Sequence, residues 1–118
     1  MKTLLLTMMT LVIAFPVMAG DESNVEHYAA QEITTKAEAQ TTLDVFNAEV
    51  KGILSAETLS VSQMERIHEI TYTLEKALPM VNGEGSSAAE ALENVHLASE
   101  DHSEAKLREN FKAYMSHL

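Results

Sequence analysis

Between Leu59 and Val81 the chain reads LSVSQMERIHEITYTLEKALPMV, and Met64, Ile67, Thr71, Leu74, Leu78 and Val81 return every three or four positions. A stripe of that period buries one side of an α-helix, whereas a half-buried strand needs strict alternation. The start is well marked. Ser60 and Gln63 can form a capping box, each side chain satisfying the other's backbone N–H, and Leu59 and Met64 are placed to staple across it. Pro79 has no N–H to donate to the Glu75 carbonyl, so the last turn should kink or end there.

The same signals recur on both sides. Thr35 with Glu38 makes a second capping box, and Ala39, Leu43, Phe46, Val50 and Ile53 follow at helical spacing over about 18 residues. Gly52 lies near that helix's end, and SAETLS makes a short turn. NGEGSS (82–87) is a break rich in glycine and serine. Ser87 with Glu90 gives a third box, ahead of Ala88, Leu92, Val95 and Ser99. The pattern falters at SEDHS (99–103), which reads as a turn or as a polar turn of continuing helix. Leu107, Phe111, Tyr114 and Leu118 form a last stripe. No segment alternates over a strand's length. The expectation is an all-α, up-and-down bundle of three to four helices over residues 35–118, since single stripes joined by short connections must be buried against one another.

Ahead of the bundle, Lys2 and the apolar run Leu4–Phe15 end in PVMAG, the layout of a secretory signal peptide. Val17 and Ala19 are the small residues read at such a site, so residues 1–19 are expected to be removed after Ala19. The run is too short for the roughly 20 apolar residues that span a bilayer. The product is expected to be periplasmic or secreted, with no stable membrane anchor and with an extended N-terminal segment at 20–34. The chain has no cysteine. Disulfides therefore cannot supplement the core, although the expected compartment is oxidising. The net charge is −10, one unit more negative once Lys2 leaves. That excess repels phosphate backbones and anionic lipid surfaces, which argues against nucleic-acid binding.

Two Glu-x-x-His pairs, Glu65/His68 and Glu93/His96, have the ligand spacing of di-iron carboxylate bundles, in which such pairs point inward. Angles argue otherwise. At about 100° per residue His68 falls roughly 90° from its stripe centre and His96 roughly 100°, while both glutamates lie farther out. In a hairpin about NGEGSS the two histidines would also differ in height by about 9 Å. Both imidazoles are therefore expected at helix margins. A surface site is the lesser alternative. His68, His96, Glu100 and His102 are the candidate ligands, with His96 and Glu100 four apart and His102 reaching in if the helix breaks at SEDHS, for a divalent ion such as zinc or copper. Non-covalent haem, held by one histidine and one of Met64, Met80 or Met115, is the other cofactor the residue types allow, although methionine more often fills cores. No phosphate loop, thiol nucleophile or serine elbow is present, so no catalytic constellation is expected.

Two residues stand off their stripes. Leu97 lies nearly opposite the third stripe, so neighbouring helices or a partner must cover it, and in a bundle the first is expected. Tyr72 lies close in angle to His68. His68, Tyr72 and Glu75 are expected to close over the N-terminal segment around His27 and Tyr28.

IHEITYTLEKAL (67–78), VHLASE (95–100) and VEHY (25–28) together resemble motifs of an uncharacterised family of small exported bacterial helical proteins. The resemblance covers roughly residues 25–115. It implies a periplasmic helical domain with no assigned activity and no catalytic residues. The function expected is a non-enzymatic periplasmic protein that binds an unknown protein or small ligand or serves the envelope, with a homodimer open to it. The alternative is metal or haem binding through the histidines and neighbouring glutamates.

Overall fold

A computed structural model describes residues 28–118. The leader, its cleavage after Ala19 and the first part of the 20–34 segment lie outside the described residues. Four helices follow one another: α1 Lys36–Leu54, α2 Val61–Asn82, α3 Ser87–Glu100 and α4 Glu104–Ser116. Among the described residues there is no strand, and the fold is the all-α bundle expected from the stripes.

The caps explain where each helix begins. Thr35 Oγ1 accepts the Glu38 amide at 3.1 Å, but the Glu38 carboxylate reaches one residue further back, to the amide and hydroxyl of Thr34. The Ser60–Gln63 box closes fully, at 2.8 and 3.1 Å. For α3 the cap is Ser86 rather than Ser87, with its hydroxyl accepting the Ala89 amide. Gly85 at φ +68 turns the chain so that Ser86 is the last extended residue. α2 does not end at Pro79. It runs on to Asn82, where Gly83 donates to the Pro79 carbonyl at 2.9 Å. The proline falls in the last turn and leaves the Glu75 carbonyl without its intrahelical donor, and the helix ends within a turn of it.

SEDHS is a turn. Ser103 N–H bonds the Ala98 carbonyl and His102 N–H the Ser99 carbonyl, the paired bonds of a Schellman stop. The left-handed position of that motif normally holds glycine, but here it holds His102 at φ +52.

Consecutive helices pack on one another, α1 on α2, α2 on α3 and α3 on α4. α2 therefore has neighbours on two sides, and it buries His68, Ile70 and Thr73 besides its stripe. Tyr114 on α4 donates to Asn47 on α1 at 3.0 Å, both buried, and this links the first and last helices. Burial pushes the Tyr114 phenol up to about 12. Arg108 donates to the carbonyls of Leu54 and Ala56 at 2.6 and 2.7 Å, so α4 caps the end of α1. Residues 28–34 form neither helix nor strand. They lie along α2, with Ile33 buried in the core and the Gln31 amide on Thr73 Oγ1 at 3.1 Å.

Two apolar expectations fail. Leu97 is 47% exposed and Leu118 52% exposed, so no neighbouring helix covers Leu97 and the α4 stripe stops at Tyr114. A bundle built by sequential pairing leaves the outer flank of α3 without a neighbour among the described residues, while Leu118 only borders a groove with Leu43, Asn47 and Val81.

Candidate metal centre

Glu65, His68, Tyr72 and Glu75 follow one another at intervals of three, four and three on α2, and Glu93, His96 and Glu100 do so at three and four on α3. Those spacings line up a polar face on each helix. α2 and α3 pack with these two faces together. The His68 and His96 ring centroids are 5.1 Å apart, and Tyr72 lies against both, at 5.4 and 4.8 Å. Tyr28 closes the cluster edge-on to His68, at 5.4 Å, and to Tyr72, at 6.0 Å. The expected closure of His68 and Tyr72 over the N-terminal segment is thus found around Tyr28, while Glu75 turns instead to His96.

The histidines are not at the margins. His68 is 1% exposed, and His96 keeps only 13% of its side chain in solvent. The angular expectation failed because it gave α2 a single buried stripe, whereas α3 and the N-terminal segment cover a second side. The height expectation failed as well, since the two ring centroids lie 5.1 Å apart.

Each imidazole has a carboxylate beside Nδ1. His96 Nδ1 lies 2.8 Å from Glu75 Oε1, and His68 Nδ1 lies 3.7 Å from Glu65 Oε2. Glu65 also accepts the Tyr28 hydroxyl at 2.7 Å and contacts His102 Nε2. Burial works hardest on the Glu65 carboxyl and in the opposite sense, yet the bonds from His102 and Tyr28 hold it below the usual range. The bond to Glu75 raises the His96 pKa despite burial. Burial, and then the nearby His96, lower that of His68. Burial and a hydrogen bond shared with Glu75 raise the Glu93 carboxyl.

His68 stands apart from its neighbours. Both its ring nitrogens are buried and neither makes a hydrogen bond. The donor atoms of His68, His96 and Glu100 all lie within 4.8 Å of one another. At bond lengths of about 2.0–2.2 Å, donors to one ion stand at most about 4.4 Å apart, so a shift of a few tenths of an ångström closes the set. With Nδ1 of each ring beside a carboxylate, Nε2 is the atom left for an ion. His96 Nε2 is 3.7 Å from Glu100 Oε2. A carboxylate behind each metal-binding imidazole is the usual orienting arrangement.

Three of the four candidate ligands read from the sequence therefore come together. The fourth does not. The helix breaks at His102, but the ring turns away to Glu65. A second grouping, Glu75, Glu93 and His96, meets the same distance, yet its imidazole nitrogen is already engaged by Glu75. Sequence reasoning placed Tyr28, Tyr72 and Glu75 near His68 as packing and paired Glu65 with it, but it did not assign Glu65 and Glu75 to the Nδ1 atoms of the two imidazoles. The signal that could have found them is the second, polar stripe on each of the two helices. Of the methionines weighed as haem ligands, Met64 belongs to the core, Met80 is half-buried against it and Met115 is exposed.

These features define a class: a four-helix protein with imidazoles and carboxylates gathered in one helix seam. The chain belongs to a family of unknown function, DUF6746, whose family model matches residues 1–118. That agrees with the resemblance to an uncharacterised family. No curated protein and no solved structure matches the chain. Among the described residues, no helix is long and apolar enough to cross a membrane.

Proposed function

We propose that this is an exported, non-enzymatic helical protein that binds one divalent transition-metal ion at the α2–α3 seam. His68 and His96 serve through Nε2 and Glu100 through its carboxylate. One observation carries the reading: His68 is buried with two unbonded nitrogens, its donor atom within reach of those of His96 and Glu100. A buried polar atom without a partner costs about 1–3 kcal/mol, and coordination would remove that cost at one nitrogen. The lowered pKa of His68 keeps its ring neutral, the form that ligates. Two nitrogens and one oxygen with no sulfur suit Zn²⁺ or Cu²⁺ better than Cu⁺. Export rests on the leader pattern at residues 1–19.

The test is calorimetric titration of the purified, metal-free chain with Zn²⁺ and with Cu²⁺. One ion per chain is expected, with binding lost in His68→Phe and weakened in Glu100→Gln. A wild-type chain that takes up neither ion would overturn the reading.

A further inference from the structure

Residues 28–34 hold the cluster shut, and the way they are held links them to the ion. Tyr28 packs its ring on His68 and Tyr72 and sets its hydroxyl on Glu65. Behind it the anchors are sparse. The Gln31 amide bonds Thr73 Oγ1, and Ile33 is the one residue of the segment buried in the core. A segment with few buried contacts and no hydrogen-bond ladder opens more readily than the helices beneath it. Glu65 is the common element. The same carboxylate receives Tyr28 from the segment and His102 from the α3–α4 turn, and it faces Nδ1 of His68.

We propose that residues 28–34 are a strap whose docking is coupled to occupancy of the seam, with Glu65 as the latch. This rests on the metal reading above. An ion on His68 Nε2 withdraws electron density from the ring and makes Nδ1–H a stronger donor. The 3.7 Å gap to Glu65 then shortens into a hydrogen bond. Glu65 is held in the position that receives Tyr28, so the loaded seam fastens the strap. Because coupling between two binding events is reciprocal, a docked strap must also hold the ion more tightly. Tyr28 packs edge-on against the His68 ring, so lifting the strap removes this support and weakens the hold on the ion.

Zinc is the probe. In hydrogen exchange of the purified chain, Zn²⁺ is expected to slow the amides of residues 29–34 about tenfold or more, because a hydrogen bond to a charged group is worth at least that factor. In stopped-flow removal by a chelator, Tyr28→Phe, which keeps the ring and loses the hydroxyl, should release zinc about tenfold faster than wild type, and Tyr28→Ala faster still. The strap lies outside the four helices, so unchanged helical dichroism verifies that both variants fold. If wild type binds zinc but strap exchange is unchanged and all three release rates agree, the coupling is wrong and the site stands. If wild type binds no zinc, both proposals fall together.

Discussion

His68 carries two ring nitrogens out of water without a hydrogen bond for either, a desolvation cost that a hydrocarbon ring of similar shape would avoid. His68→Phe should therefore leave the metal-free protein as stable as wild type or more stable by about 1–2 kcal/mol, while ending metal binding. Thermal melts with and without Zn²⁺ would show this, and zinc should raise only the wild-type midpoint. A large loss of metal-free stability would mean that the ring nitrogens make favourable bonds in the metal-free fold. His96 behaves in the opposite way. Its bond to Glu75 raises its pKa, so the folded state holds that proton more tightly than the unfolded chain. The resulting stability is fully present below the unfolded value of 6.5 and is lost as pH rises through the raised folded value. Glu75→Gln should accordingly destabilise the metal-free protein most at or below about pH 6. The deficit should shrink as the pH of urea melts is raised to about 9. A deficit independent of pH would show that Glu75 and His96 are not an ion pair.

At the scale of elements, the stop between α3 and α4 places an imidazole where the backbone favours glycine. A residue with a Cβ in the left-handed region costs about 1–2 kcal/mol, so His102 holds its place against local preference. Its contact with Glu65 is the visible compensation. His102→Gly and His102→Ala both lose that contact, but only alanine keeps the strain. The glycine variant should be the more stable of the two by about 1 kcal/mol, measured by chemical denaturation. Equal stabilities would mean that the turn adjusts without strain. The helix starts and stops themselves were largely legible. Ser60 with Gln63 formed the box read from the residues, because capping depends on neighbours within one turn. The third start slipped by one residue because Ser86 and Ser87 are equally good caps and only the turn at Gly85 chooses between them.

At the scale of the molecule, α4 is tied back to α1 through Tyr114 and Asn47 and through Arg108 on the carbonyls that end α1. Tyr114→Phe would leave the Asn47 side-chain carbonyl buried without its donor. The expected loss is about 1–3 kcal/mol of global stability with the helical signal in native buffer unchanged. A variant as stable as wild type would show that the Tyr114–Asn47 bond adds nothing to the tie between α4 and α1.

Period, capping and breaks are properties of residues within a turn or two of one another. The sequence by itself therefore determined an all-α bundle after about residue 35, the approximate ends of its helices and most of the stripe each buries, and left open whether SEDHS divides the last two. It also marked His68, His96, Glu100 and His102 as candidate ligands, of which the first three come together. Whether their rings meet depends on how far apart in height two packed helices place them, and on which sides of α2 find a neighbour. Both are set by the packing of α1, α3 and the 28–34 segment around α2. A single stripe assigned to α2 put the imidazoles at its margin. The second neighbour turned that margin into an interior, and Leu97 stayed exposed because packing provided no such neighbour on its side.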